Sequence, residues 1–111
     1  MIELRRGSVV YYGERGEFTG KLRPGVVVQR DSTLADAPSV TLCGLTSNAM
    51  PSHIARVPLV ANDTNGLDQL SFVMVDKVVS IGRARIRRLF GQLSMDEMAQ
   101  VDRALRLWLD L

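Results

Sequence analysis

The sequence has few of the residues on which disulfides, metal clusters and histidine-based catalysis depend. Its 111 residues include one cysteine, Cys43, and one histidine, His53. A lone cysteine cannot form an internal disulfide or a multi-cysteine metal site, and a single histidine leaves too few ligands for a zinc cluster. We therefore expect neither a metal nor another cofactor. Cys43 lies in an apolar segment, where cysteine is more often an inert core residue than a nucleophile.

Long apolar segments are also missing. No run approaches the roughly 20 residues that a membrane-spanning helix needs. The first six residues lead into Gly7 and Ser8 rather than into the apolar part of a signal peptide. The hydrophobic fraction of 46% is still sufficient for a core, and the length suits one core rather than two. We expect a single domain over residues 1–111, in the cytoplasm and without membrane contact.

Lysine is scarce among the basic residues. Fourteen lysines and arginines face twelve acidic residues, and the net charge of +2 is only a weak indication of nucleic-acid binding. Lys21 and Lys77 are the only lysines, so twelve of the fourteen basic residues are arginine. The planar guanidinium suits phosphates and base edges better than an ammonium group does. A genome rich in G and C would also favour arginine, so composition leaves both explanations open.

Short β-prone runs separated by loops and turns dominate the first 81 residues. Strands are predicted over residues 8–12, 25–29, 39–45, 53–60 and 71–81, the last read as one strand or as two bent around residues 76–77. Loops are predicted over residues 13–21 and 30–38, and a turn over residues 62–66. Pro58 places its strand at an edge or bulge, and Gly44 indicates a bulge or a close backbone approach.

The C-terminal tail is the clearest helical segment. Ser94 and Glu97 fit a capping box, and Leu93 and Met98 occupy the positions of a hydrophobic staple. The predicted apolar face carries Met98, Val101, Leu105 and Trp108. A shorter helix is predicted over residues 83–90. Short strands with a packed terminal helix predict a small, strongly bent antiparallel sheet or barrel.

Polar residues at strand ends are the best candidates for chemistry, because phosphate-binding and dinucleotide-binding glycine motifs are absent. Arg23 precedes the second strand, Thr46-Ser47 follows the third, and Asp76-Lys77 interrupts the longest apolar run. Charges inside a buried strand need solvent or a partner, so a groove and a salt-bridged bend are both open interpretations. His53 could act as a base, although a strand-edge histidine is the simpler interpretation.

A series of short segments matches one family in order and spacing. They are Arg6–Val10, Arg23–Asp31, Leu45–Ser47, Pro51–His53, Gly66-Leu67, Ser71–Val78 and Gly91–Ser94, followed by the terminal helix. Across nearly its whole length the sequence resembles the MazF/PemK/Kid-type toxins of bacterial type II toxin–antitoxin pairs. The resemblance implies a mainly β (α+β) fold, a small SH3-like β-barrel with a C-terminal helix, of the kind shared by the plasmid-maintenance toxins CcdB, Kid and MazF.

The same resemblance implies an activity and partners. The activity is a sequence-specific, metal-independent endoribonuclease that cleaves single-stranded RNA, such as mRNA, to 2′,3′-cyclic phosphate and 5′-OH ends. Cleavage would inhibit translation and growth. The implied partners are the RNA, a second copy in a homodimer, and a cognate antitoxin that is MazE-like or of another family.

The resemblance also assigns roles to individual residues. Arg23 matches the family's main catalytic arginine, and Thr46 matches a threonine whose hydroxyl holds a phosphate oxygen. Glu17 and Ser47 are candidate auxiliary catalytic groups. The candidate RNA-binding residues are Phe18, Lys21, Gln29, His53, Asp76 and Lys77. Phe18 could stack on a base or fold onto the barrel.

Three departures from the family pattern concern RNA recognition and catalysis. Phe18 stands where the family commonly has glutamate. Met74 stands where some members carry an arginine two residues before the aspartate, which leaves Asp76 as an RNA contact. Residues 79–82 replace the usual Arg-Thr-Ile-Asp, so we expect a different RNA sequence preference or a different bend of the strand.

A non-catalytic binding module on the same fold is the alternative function. It would be a CcdB-like gyrase poison or an inactive toxin. Trp108 lies near the end of the chain, and in CcdB-type proteins the last residues contact the target. Arg23 and Thr46 together favour the nuclease, because a module that only binds need not keep both.

Overall fold

Six β-strands and a C-terminal helix form the protein in a computed structural model that describes residues 2–13, 21–49 and 54–111. The strands are β1 (Ser8–Gly13), β2 (Leu22–Val27), β3 (Ser39–Thr46), β4 (Arg56–Leu59), β5 (Ser71–Gly82) and β6 (Ile86–Gln92). The helices are α1 (Asp31–Leu34), a single turn between β2 and β3, and α2 (Met95–Leu109). A 3-10 turn (Arg83–Arg85) joins β5 to β6.

The strands form one antiparallel sheet in the order β4-β5-β3-β2-β1-β6. The mainly β fold with a C-terminal helix is confirmed. Among the described residues the pairings leave β4 and β6 as two edges, so the expected barrel takes the form of an open sheet. Pro58 lies in the edge strand β4, as predicted, because proline has no N–H to donate to a second neighbour.

Both faces of the sheet are buried, as the alternation along β1 illustrates. Val9 belongs to one core cluster, whereas Val10 and Tyr12 belong to the other. Helix α2 covers the first face with the buried residues Val101, Ala104 and Leu105. Leu4 and Leu34 cover the second face. Strands β1, β2 and β3 each contribute buried residues to both clusters and are therefore held from two sides, which fixes the positions of side chains at their ends.

Strand β2 starts earlier than predicted, and β5 is one strand rather than two. Arg23 and Pro24 are already paired with β1, opposite Tyr12 and Tyr11. The register of β3 against β5 shifts around Gly44, as a bulge predicted there would require. The predicted loop over residues 30–38 contains the short helix α1.

The predicted helix over residues 83–90 is wrong. The 3-10 turn occupies its first residues, and the remainder is β6, which pairs with β1 through Val10 and Leu89 and through Tyr11 and Arg88. Arginine and leucine favour a helix locally, but the free edge of β1 offers a ladder of backbone hydrogen bonds and a place for Ile86 in the core. Tertiary pairing overrides a weak local propensity here.

The terminal helix follows the prediction at its start and departs from it near its end. The Oγ of Ser94 accepts from the Glu97 N–H at 3.1 Å, and the Ser94 N–H donates to Glu97 Oε1 at 2.8 Å. Trp108, predicted on the apolar face, is 45% exposed, so the buried face ends at Leu105. Within the described ranges no helix has the length and apolar character that crossing a bilayer requires.

Candidate active site

The pairing of β2 with β3 brings Arg23 and Thr46 together. Gly25 lies opposite Gly44 and Val26 opposite Cys43. Extending this register by two residues places Arg23 opposite Thr46, and directly opposed side chains share a face of an antiparallel sheet. Both residues line one pocket of about 490 Å³.

The pocket combines expected and unexpected residues. Lys21 and Ser47, two of the sequence candidates, lie in its wall with Arg23 and Thr46. The other lining residues are Tyr11, Pro24, Leu45, Asn48, Gly66, Leu67, Asp68, Gln69, Ser71 and Phe90. The pocket is thus lined by two basic residues, one acidic residue, four residues with hydroxyls and an aromatic wall. Its basic and aromatic parts suit a phosphate joined to a flat ring.

A local hydrogen bond shapes the end of β3 at Thr46. Its Oγ1 accepts from the Asn48 N–H at 3.1 Å, which turns the chain directly after the strand. Thr46 is half-buried, whereas Ser47 is exposed. Because a hydroxyl can accept and donate at once, Thr46 can still donate its own proton to a ligand.

Gly25 and Gly44 lie opposite each other in the β2–β3 pair and leave room for large side chains. A Cβ on Gly44 would lie 2.9 Å from Met74 Cε, and a Cβ on Gly25 would lie 3.0 Å from Tyr12 Cε1. Met74 and Tyr12 therefore pack over the glycines next to Arg23. The atoms that approach Gly44 belong to side chains, so of the two alternatives predicted there the bulge is the one found.

Comparison with known proteins identifies the family. A family model described as the PemK-like, MazF-like toxin of type II toxin–antitoxin systems matches residues 5–109. The chain belongs to this toxin family. A probable endoribonuclease MazF of Mycolicibacterium smegmatis is 32% identical over 108 residues, covering 97% of this chain and 98% of that protein. Endoribonuclease MazF9 of Mycobacterium tuberculosis is 35% identical over 115 residues, with coverage of 97% and 98%.

Solved toxin structures share the fold at lower identity. The MazE–MazF crystal structure from Deinococcus radiodurans, form III, matches with a TM-score of 0.82 and 21% identity. The match covers 99% of each chain. The toxin fold inferred from the sequence is therefore confirmed.

Gln29 lies outside the pocket of the toxin. Its side chain joins two neighbouring elements: Nε2 donates to Thr33 Oγ1 at 2.9 Å, and Oε1 accepts from the Thr41 N–H at 2.8 Å. This side chain ties α1 to β3, and its contact with RNA stays a prediction.

Asp76 and Lys77 also lie outside the pocket. Asp76 Oδ2 pairs with Arg56 Nη2 at 3.3 Å, and the Arg56 side chain is only 9% exposed. Arg56 stands opposite Met74 in the β4–β5 pair, so the neighbouring strand supplies the guanidinium that position 74 lacks. A salt-bridged strand is therefore the arrangement found at Asp76. Lys77 is exposed on β5, and the RNA contacts of both residues stay predictions.

Three further candidates cannot be placed. Glu17, Phe18 and His53 lie outside the described residues. Their predicted roles in catalysis and RNA binding stay predictions.

The single cysteine is part of the core. Cys43 is buried, and this burial raises its pKa to about 12. The thiol therefore stays protonated at neutral pH, when a nucleophile would need the thiolate. This agrees with the interpretation of Cys43 as an inert core residue.

Sequence reasoning missed the aromatic wall and the adjoining loop. Tyr11 and Phe90 stack with ring centroids 4.2 Å apart and an interplanar angle of 19°. They meet because β1 and β6 are neighbours, and the helix predicted over residues 83–90 excluded that pairing. Residues 86–90 read Ile-Arg-Arg-Leu-Phe, which does not alternate between apolar and basic side chains, so the pattern contains no clear strand signal.

Proposed function

We propose that this toxin cleaves single-stranded RNA at a short sequence through Arg23 and Thr46, without a metal ion, in a single domain spanning residues 1–111. The observation that carries the proposal is the convergence of these two residues, from neighbouring strands, on one pocket. Two relatives above 30% identity, matched over nearly their whole length, are named as endoribonucleases or probable endoribonucleases.

The proposed reaction is an internal transfer at phosphorus. The ribose 2′-oxygen forms a bond to the adjacent phosphorus while the bond from phosphorus to the 5′-oxygen breaks. One proton leaves the 2′-hydroxyl and one proton reaches the departing 5′-oxygen. The products are a 2′,3′-cyclic phosphate and a 5′-OH end, so the step consumes no water, oxidant or cofactor.

Arg23 would stabilise the charge that develops on the non-bridging phosphate oxygens. A guanidinium carries its charge at any physiological pH and offers paired N–H donors to two oxygens. Arg23 is exposed at the edge of the pocket, where an RNA strand can reach it. Fixed donors aimed at developing charge commonly provide a large part of the rate enhancement.

Thr46, Ser47 and Lys21 would hold the substrate around that arginine. The Thr46 hydroxyl, oriented by the Asn48 N–H, can donate to a phosphate oxygen, and Ser47 adds a second hydroxyl. Lys21 adds a positive charge to the same pocket, which favours the polyanion.

The partners and setting follow from the family and form part of the proposal. The toxin would act as a homodimer in the cytoplasm, cutting mRNA and so arresting translation and growth. A cognate antitoxin would neutralise it by covering the pocket. MazF from D. radiodurans has been solved together with MazE.

The test is cleavage of mixed single-stranded RNA in EDTA by the folded, antitoxin-free toxin, with mapping of both product ends. We expect discrete cuts with 5′-OH ends. Arg23→Ala should lower the rate about 10²- to 10³-fold. Arg103→Ala removes an exposed arginine of α2 outside the pocket and should leave the rate unchanged.

Two results would contradict the proposal. Cutting that survives Arg23→Ala would place the active site elsewhere. A folded wild-type toxin that cuts no RNA would instead favour the non-catalytic binding module.

A further inference from the structure

One part of the pocket is not used by the proposed chemistry. Tyr11 and Phe90 form its stacked aromatic wall, and the exposed residues Asp68 and Gln69 adjoin them. We propose that these four residues form a subsite for one RNA base beside the scissile phosphate, and that the subsite selects bases with an exocyclic amino group against uracil. This inference rests on the proposed nuclease function.

The aromatic wall suits a base that has left its stack. Single-stranded RNA is commonly bound through unstacked bases that lie on aromatic side chains. Tyr11 and Phe90 are half-buried and come from paired strands, and Phe90 also packs against a core cluster. Their rings are thus held in place before RNA arrives, which lowers the entropic cost of binding.

The loop that carries Asp68 lies directly on this wall. Gly66 has a φ of +71°, and a Cβ there would lie 2.2 Å from the Phe90 carbonyl oxygen. Only a glycine allows the loop backbone to approach the aromatic strand so closely. The base-facing part of the loop therefore has a fixed position relative to Phe90.

A buried asparagine anchors the same loop to helix α2. Asn65 is fully buried, and its Nδ2 donates to Glu97 Oε2 at 3.0 Å. Its Oδ1 accepts from the Leu67 N–H at 3.0 Å. Glu97 is also the N3 residue of the α2 capping box, so Asn65 is a positioning residue that connects the loop to a rigid element.

Asp68 provides the selectivity. Among the described residues its carboxylate has no ion-pair or hydrogen-bond partner, and the Gln69 amide has none either. A carboxylate only accepts hydrogen bonds and repels phosphates, so beside an aromatic wall that holds a base it favours the N–H groups of that base. Adenine, cytosine and guanine carry an amino group, whereas the single uracil N–H lies between two carbonyls that repel a carboxylate.

The test is cleavage of a randomised single-stranded RNA pool, with the product ends sequenced. The wild-type toxin should discriminate against uracil at one position beside the cut. Asp68→Asn adds donors to the side chain and should weaken that discrimination about tenfold, with the same 2′,3′-cyclic ends. Asp63→Asn, the same change at an exposed site outside the pocket, should keep the wild-type profile.

The possible outcomes distinguish a wrong base subsite from a wrong nuclease assignment. If the wild type cuts RNA but accepts uracil there, or if Asp68→Asn keeps the wild-type profile, the subsite assignment is wrong and the nuclease stands. If the folded wild type cuts no RNA in the pool, the proposed function fails and the subsite falls with it. Gln69→Ala, an independent variant, should change the preference at the same position and at no other.

Discussion

Two arginines near the strand ends of this toxin have opposite environments. Arg23 is exposed beside a pocket with hydroxyls and a lysine, whereas Arg56 is 9% exposed and paired with Asp76 inside the β4–β5 region. The Arg56 guanidinium is buried against its carboxylate, whereas the Arg23 guanidinium lies in the solvent-exposed wall of a pocket. Burial, more than residue type, therefore separates the arginine that stabilises the fold from the arginine that we propose for catalysis.

The largest expected effect on stability comes from Arg56. Its Nε and Nη1 and the Asp76 Oδ1 are buried without hydrogen-bond partners in the described part of the chain, so this pair already carries desolvation cost. Arg56→Ala leaves the Asp76 carboxylate partly buried and unpaired, and should lower the free energy of unfolding by about 3 kcal/mol. Urea denaturation measures the change.

The matched variant for that measurement is Arg23→Ala. Because Arg23 is exposed, its removal should change the free energy of unfolding by less than about 0.5 kcal/mol while removing most of the activity. The double variant Arg56→Ala with Asp76→Ala should be more stable than Arg56→Ala alone. Equal losses of stability for the two single arginine variants would show that burial does not distinguish the roles of Arg56 and Arg23.

The next effect concerns the loop beside the pocket. Gly66→Ala places a Cβ 2.2 Å from the Phe90 carbonyl oxygen at a positive φ, and should cost about 1–3 kcal/mol of stability. It should also lower RNA cleavage, because the loop must move away from the aromatic wall.

Gly82→Ala is the control for this loop. No atom lies within 4 Å of a Cβ built on Gly82, and its φ of −61° suits any residue. Thermal unfolding and cleavage rates of both variants check the prediction. A Gly66→Ala protein as stable and active as Gly82→Ala would show that the loop approach to Phe90 is not a constraint.

The smallest effect concerns the buried thiol. Burial raises the pKa of Cys43 to about 12, so the thiol should resist alkylation by iodoacetamide at pH 8 until urea unfolds the protein. The pKa of the Cys43 thiol is higher in the folded protein than in the unfolded chain. The contribution of this thiol to the free energy of unfolding is therefore complete below about pH 9 and is lost as the pH rises towards 12. Fast labelling of the native toxin at pH 8 would show that Cys43 is accessible and would contradict its place in the core.

Much of the sheet could be predicted because local patterns specify it. Short valine-containing runs bounded by glycine or proline mark β1, β2 and β3, and the Ser94–Glu97 spacing predicts the start of α2. The strand at residues 86–92 could not be predicted this way, because its arginines and leucine suit a helix until β1 offers an edge. Periodicity places Trp108 on the apolar face of α2, but periodicity carries no information on where the sheet beneath the helix ends.

The candidate site was only half predictable for the same reason. Arg23 and Thr46 stand at recognisable strand ends and match the toxin family, so sequence alone identifies them. Phe90 and Asp68 reach the pocket only through the β1–β6 pairing and the loop that Asn65 anchors to Glu97, and these contacts join residues far apart in the chain. Asp76, equally prominent in the sequence, turned out to be paired with Arg56.

In the proposed mechanism Arg23 and Thr46 act together on one phosphate. The most direct measurement is a double-mutant cycle of single-turnover RNA cleavage with Arg23→Ala, Thr46→Val and the double variant, with Thr46→Ser as the variant that keeps the hydroxyl. We expect Thr46→Ser to retain most of the rate, and the double variant to lose clearly less than the product of the two single losses, because groups that stabilise one transition state are not additive. Losses that multiply fully would show that the two residues act independently, and would contradict a shared phosphate site.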